Sequence, residues 1–249
     1  MSGSGGQVPG WNLKTDTKHL DRMPRPRNSS ELRCTHRLEA QALRQGWRLI
    51  AGCDEVGRGA LLGPLYAAAV ILDHSRLVSG VDDSKKLSPQ DRNSLAVEIR
   101  EKALCFHIVA ISAQEVDALN VYEASRQAMI RALRALEPPP DFVLTDAMPL
   151  SRGADCPALH IPYRAIIHGD ARSVSIAAAS ILAKVARDKH LEELDRLYPQ
   201  YALAKNKGYG TREHLEALAR YGPCPEHRTS YQPVKDYLLP LFPFSSSAL

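Results

Sequence analysis

Two apolar segments, residues 49–54 and 65–72, are separated by a glycine-rich turn, and neither alternates polar with apolar side chains. Each therefore reads as a strand buried on both faces of a sheet, and such a sheet must carry helices on both sides. Downstream, 88–103 suits a helix, 104–111 a strand, and 121–137 a helix whose Met129, Ile130, Leu133 and Leu136 form a core-facing stripe ended by Pro138-Pro139-Pro140. Residues 142–146 and 161–167 read as further strands, and 173–197 as a long helix capped by Ser173. Upstream, 30–45 has a helical pattern through Leu32, Leu38, Ala42 and Leu43, with Gly46 as its stop. This order predicts one mixed-sheet α/β domain, central sheet flanked by helices, with a C-terminal helical appendage. The expected division is a flexible basic arm at 1–29, a main domain at 30–198 whose leading helix spans 30–46, and a helical subdomain and tail at 199–249.

Composition removes several classes. At 249 residues, 44% hydrophobic and 24% charged, the chain can bury a sizeable core and is not collagen-like, coiled-coil or disordered throughout. Its longest near-apolar run, 60–72, contains Gly63 and Pro64 and is too short and broken to cross a bilayer. Five widely spaced cysteines without a Cys-x-x-Cys pair argue against a disulfide framework or a zinc site. No secretory signal is evident, and Asp16 and Asp21 fit poorly with a transit peptide, so a cytoplasmic monomer is expected. Residues 1–48 hold nine basic and four acidic side chains, leaving 23 and 24, a net of −1, for the rest. The body is thus no generic polycation, whereas the arm could add a diffuse attraction to a polyanion.

Four carboxylates, Asp54, Glu55, Asp146 and Asp170, sit at the end of an expected strand or just before a helix, within apolar sequence. Taken singly, each could be a turn or capping residue. Converging at one sheet edge, they would repel without a cation, and with no His or Cys cluster beside them a hard ion such as Mg²⁺ or Mn²⁺ is the natural partner. Adjacent strand residues point to opposite faces, so Asp54 and Glu55 can both reach inward only if the strand ends or bulges there. The Gly57-Arg58-Gly59 turn follows, where glycines let backbone approach a ligand and a guanidinium can reach phosphate. It is neither a phosphate loop nor a dinucleotide fingerprint. His168, His214 and His227 have no metal-ligand spacing and are expected in ordinary loop or helix roles, and Cys53 as a small core residue.

Cys53-Asp54-Glu55-Val56-Gly57-Arg58-Gly59, with Asp83-Ser84-Lys85-Lys86-Leu87, Gly169-Asp170, the Ala178 to Val185 stretch and Lys207-Gly208-Tyr209-Gly210, resembles the bacterial ribonuclease HII family. The match runs in order over roughly 49–234. It implies a ribonuclease H-like fold and an endoribonuclease that cuts the RNA strand of RNA/DNA hybrids and cleaves 5' of single ribonucleotides in duplex DNA, serving ribonucleotide excision repair and RNA primer removal. By the resemblance, Asp54, Glu55, Asp146 and Asp170 are catalytic acids holding two Mg²⁺ or Mn²⁺ ions. Gly57, Arg58 and Gly59 would sense the 2'-hydroxyl, Tyr209 would stack on the sugar at the junction, Ser84 and Lys85 would hold phosphate, and Lys184 is a further candidate for substrate binding.

Two positions depart from the family pattern: Ala60 replaces a frequent proline, and Asn206 stands where histidine often precedes Lys-Gly-Tyr. Arg58 and the short arm argue against the related ribonuclease HIII, which resembles this family but carries lysine between the glycines. The alternative is a non-catalytic hybrid-binding module, against which the four acids stand. Residues 237–244 are a candidate contact for a replication clamp, although the glutamine-led clamp spacing is not clearly present.

Overall fold

The computed structural model describes residues 34–151, 155–156 and 159–238. The arm at 1–29, the start of the expected leading helix and the clamp candidate beyond residue 238 lie outside the described residues. In chain order the elements are α1 (Arg37–Arg44), β1 (Ile50–Val56), β2 (Leu65–Ile71), α2 (Pro89–Lys102), β3 (Cys105–Ile111), α3 (Ala113–Leu119), α4 (Val121–Arg134), β4 (Phe142–Asp146), β5 (Asp155–Cys156), β6 (Ile161–Ile166), α5 (Val174–Leu197), α6 (Leu203–Asn206) and α7 (Arg212–Tyr221). The sheet runs β3-β2-β1-β4-β6-β5. β3, β2 and β1 pair antiparallel, β1, β4 and β6 pair parallel, and β5 closes the far edge antiparallel.

Both faces are covered, as the apolar strands require. On one face α4 lays Met129 and Leu133 on Ala67, Ala69 and Ile71 of β2, with Ala51 and Cys53 of β1. On the other, Ile99 of α2 and Ala178, Ile181 and Leu182 of α5 meet Ala68 and Val70. The alanine-rich start of α5 lies hard against β1: a Cβ on Gly52 would stand 2.0 Å from the Ser175 carbonyl carbon, so only glycine permits the approach. Ser173 caps α5 by accepting the Ile176 N–H, as expected. The chain after α5 packs on the β1–β2 connection, where Leu62 joins Leu191, Tyr201 and Leu203, and Leu61 joins Leu218 and Val234.

Two expectations need correction, and one helix goes beyond them. The leading helix begins only at Arg37, because Thr35 forms a β-bridge to Ser173. α4 stops at Arg134 rather than 137: the residue before a proline avoids helical backbone, and the turn tightens as Leu136 N–H bonds to Leu133 O at 3.3 Å. α3 was not expected at all, since seven residues capped by Ser112 are too few to display a helical period.

Candidate functional site

β1 and β4 run parallel and end at the same edge, and their pairing stops at Cys53–Thr145. Asp54 and Asp146 follow at that edge. The pairing of β1 with β2 continues through Asp54–Ala68 and Glu55–Ala67 to Val56–Tyr66 without a bulge, so the expected break between the two acids is absent. Both nonetheless line one cavity of about 430 Å³. Beyond Thr145 no β4 partner lies beside β1, so the cleft reaches side chains from either face of the strand. Asp146, Ser84, Lys85, Ser180, Lys184 and Tyr209 line the same cavity. Asp170 sits in the short 3-10 turn Gly169–Ala171 and joins the site through Lys85, whose Nζ is 2.9 Å from Asp170 Oδ2.

The electrostatics are those of like charges gathered in a dry place. Burial raises Asp54 well above the usual carboxylate range, and the charges of Glu55 and Asp146 add to it. Glu55 is pushed up to about 7 by burial, against the opposing Arg58 guanidinium 3.2 Å away. Asp146 is raised by burial and by Asp170. Each carboxylate finds a separate partner: Asp54 Oδ1 accepts the Glu55 N–H at 2.7 Å, and Asp146 Oδ1 the Gly169 N–H at 2.7 Å. Glu55 Oε2, by contrast, is buried with no hydrogen-bond partner. Among the described residues no three His, Cys, Asp or Glu side chains already close around one point. An all-oxygen donor set with a buried, unpartnered oxygen suits a hard divalent cation.

Two buried arginines that sequence reasoning missed shape the neighbouring loop. Gly57, at φ +91, lies so close to Arg187 that a Cβ would meet its Nε at 2.2 Å. Arg187, on α5, donates to Pro64 O at 3.0 Å and Lys207 O at 2.9 Å, and its guanidinium lies 5.6 Å from the Tyr209 ring centroid. Burial pulls it down to about 10. Arg228 donates to Gly63 O at 2.9 and 3.1 Å and to Arg58 O at 2.8 Å, while Tyr231 Oη donates to Arg58 O at 2.7 Å. Carbonyl oxygens thus receive both guanidinium groups and fix the turn. Neither carries a sequence signal: Arg187 is flanked by Lys184, Asp188 and Lys189 like a surface arginine, and Arg228 lies in a loop.

Of the other candidate residues, Ser84, Lys85, Lys184 and Tyr209 line the cavity, while Gly57, Arg58 and Gly59 are not among its lining residues. A Cβ on Gly59 would stand 3.9 Å from Tyr209 Cε1, so the glycine turn abuts the tyrosine. The Tyr209 ring is partly exposed, at 38%. Asn206 is buried and bonds to Gly208 N and Tyr201 O, which makes it a brace of this loop. Ser84 Oγ lies 3.0 Å from Ser180 Oγ, a cavity residue not singled out from sequence. Lys184 is paired with Asp188 at 2.7 Å.

A mixed sheet covered by helices, with carboxylates at the ends of its parallel strands, defines a protein of the ribonuclease H-like fold. The sequence model of the family described as Ribonuclease HII matches residues 51–234. The ribonuclease HII of Geobacillus kaustophilus (strain HTA426) is 50% identical over 202 residues, covering 81% of this chain and 75% of that protein. Among solved structures, ribonuclease H2 from Pyrococcus horikoshii OT3 superposes with a TM-score of 0.67 at 25% identity, covering 76% of this chain and 97% of that one. The ribonuclease HII of Archaeoglobus fulgidus, solved in a complex with PCNA, gives 0.64 at 26% identity, covering 74% and 96%. The chain belongs to the ribonuclease HII family, and its activity is that of an endoribonuclease.

Proposed function

We propose that Asp54, Glu55, Asp146 and Asp170 are the catalytic acids of this ribonuclease HII and together hold two divalent ions, Mg²⁺ or Mn²⁺. The observation that carries the reading is that Asp54, Glu55 and Asp146, all raised by burial, line one cavity in which Glu55 Oε2 has no hydrogen-bond partner, with Asp170 joined to it through Lys85. Such ions, when bound, supply an activated water and offset charge at the scissile phosphate and its departing oxygen. The substrates are RNA/DNA hybrids and duplex DNA containing ribonucleotides, cut 5' of the ribonucleotide to leave a 3'-hydroxyl and a 5'-phosphate. That places the enzyme in ribonucleotide excision repair and RNA primer removal.

The protein's own groups divide the remaining work. Ser84, Lys85 and Lys184, around the cavity, contact backbone phosphates. Base edges carry no information about the sugar, so telling RNA from DNA requires a contact with the 2'-hydroxyl. The backbone of Gly57, Arg58 and Gly59, held by Arg187 and Arg228, supplies donors and acceptors for it, and Tyr209 tests the sugar by stacking. The catalytic domain is assigned to 30–198 and the helical subdomain and tail to 199–249. A sliding-clamp contact through 237–244 is the partner proposal, prompted by the archaeal relative's complex with PCNA; a clamp pull-down that survives truncation after Lys235 would remove it.

The test is incubation with Mg²⁺ or Mn²⁺ and a labelled DNA duplex carrying one ribonucleotide, beside an all-DNA duplex and Asp54→Asn. Cutting 5' of the ribonucleotide by wild type alone is expected. A folded wild type that binds the hybrid without cutting it returns the weight to a binding module.

A further inference from the structure

Two histidines that the proposed chemistry does not use lie behind Tyr209. His214, on α7, and His227 are buried, with Nε2 atoms 3.2 Å apart. His214 Nδ1 is 3.0 Å from the carbonyl oxygen of Tyr209, and His227 Nδ1 accepts the N–H of Cys224 at 2.9 Å. A carbonyl has no proton to give and a peptide N–H has no lone pair to offer. His214 Nδ1 therefore carries a proton and His227 Nδ1 does not. With both rings neutral, one arrangement remains at the join: His227 Nε2–H donates to His214 Nε2. The bonds run in one direction, from Cys224 N–H through both rings to the Tyr209 carbonyl.

An extra proton on either ring breaks this line. On His214 it would set N–H against N–H, and on His227 it would oppose the Cys224 N–H. Burial favours the neutral rings, lowering His214, and lowering His227 to about 4 with the charge of His214 adding to the effect. The far end of the line is anchored, because Arg228 N–H donates to Leu61 O at 2.8 Å and His227 bridges to Leu62. Those residues continue directly from the Gly57-Arg58-Gly59 turn. The line thus ties the Tyr209 backbone to the same stretch of chain that carries the turn.

We infer that His214 and His227 are positioning residues, a neutral pair of fixed proton order that holds Tyr209 in register with the Gly57-Arg58-Gly59 turn and so sharpens recognition of the ribonucleotide junction. The inference rests on the role given to Tyr209 above.

The test compares kcat and KM on a duplex with a single ribonucleotide and on a continuous RNA/DNA hybrid for full-length wild type, His214→Leu, His214→Asn, Tyr209→Ala and the Leu/Ala double variant, with melting temperatures recorded. His214→Leu is expected to lower kcat/KM on the single ribonucleotide about tenfold more than on the hybrid, and the double variant to be no worse than Tyr209→Ala alone. His214→Asn, whose amide reaches the Nδ1 position, should restore most of the preference. A folded His214→Leu with an unchanged ratio, beside a Tyr209→Ala that has lost it, overturns the inference alone. Tyr209→Ala with the ratio intact overturns the Tyr209 role and the inference with it. Nitrogen-15 spectra of the wild-type rings, which need no variant to fold, should show His214 protonated on Nδ1 and His227 on Nε2; the reverse pattern also overturns it.

Discussion

The Lys85 ammonium stands 2.9 Å from Asp170 Oδ2, an exposed lysine neutralising a buried carboxylate. Burial pulls the lysine down, but the hydrogen bond and charge of Asp170 outweigh it, so it remains protonated. Lys85 thus occupies one of the acids proposed above to hold the cations, while its position at the cavity suits a phosphate.

Lys85→Met should therefore bind Mn²⁺ several-fold more tightly without nucleic acid and show a raised KM for the hybrid. Calorimetric titration with Mn²⁺ and steady-state kinetics check the two halves. Unchanged or weaker Mn²⁺ binding would count against competition between lysine and cation.

Asp54→Asn removes one member of the crowded carboxylates. In the absence of divalent cation it should stabilise the fold by about 1–2 kcal/mol, while lowering kcat by about three orders of magnitude or more. The gain should grow with pH. Glu55 is raised from 4.5 to about 7, so protonated Glu55 contributes stability below pH 4.5 that is lost as pH rises through 7. Its charge then repels Asp54 most above that value. Urea melts at pH 6 and 8 in chelator would show this.

Arg228→Lys keeps a positive charge but cannot reach the carbonyls of both Gly63 and Arg58. A loss of about 3 kcal/mol is expected, from a buried charge left short of partners. Junction cleavage should fall further than cleavage of a continuous hybrid. Equal losses on the two substrates would separate Arg228 from the turn's role.

Gly57→Ala meets two obstacles at once, a left-handed φ of +91 and a contact of 2.2 Å with Arg187 Nε. The expected outcome is a destabilisation of about 2–4 kcal/mol, read by denaturant melts. A melting curve superimposable on wild type would show that Arg187 can move aside freely.

His227 should contribute to the acid limb of stability. Its folded pKa of about 4 lies below the ordinary 6.5, so as pH falls the unfolded chain takes the proton first. The neutral ring's contribution is complete above 6.5 and is lost progressively between 6.5 and 4. The advantage of wild type over His227→Asn should shrink by about 2 kcal/mol across that window in urea melts. An advantage independent of pH would mean that folding leaves the His227 pKa unshifted.

The elements legible from sequence were those long enough to show a period. β2 carries apolar residues on both faces, 67, 69 and 71 toward α4 and 68 and 70 toward α5, and the uninterrupted apolar run announced that without a structure. α3 did not announce itself, because two turns of helix carry too little pattern. The four acids were visible because carboxylates in apolar sequence are costly unless something binds them. How Asp54 and Glu55 share a cavity was not: the answer depends on where β4 stops pairing, and β4 lies some ninety residues along the chain.

Local patterning by itself determined the strands and most of the helices, since each depends on chemistry repeated within a few residues, and it marked four acids as candidates. Only the tertiary structure decided which charges are buried and what meets them. Arg187 and Arg228 look like surface arginines in sequence, and His214 and His227 like ordinary loop and helix residues. Their roles come from partners such as Pro64 O, Gly63 O and Tyr209 O, supplied by backbone that folding brings close. A buried polar group is stable only when satisfied, and a carbonyl that satisfies it has no sequence signature, because every residue carries one.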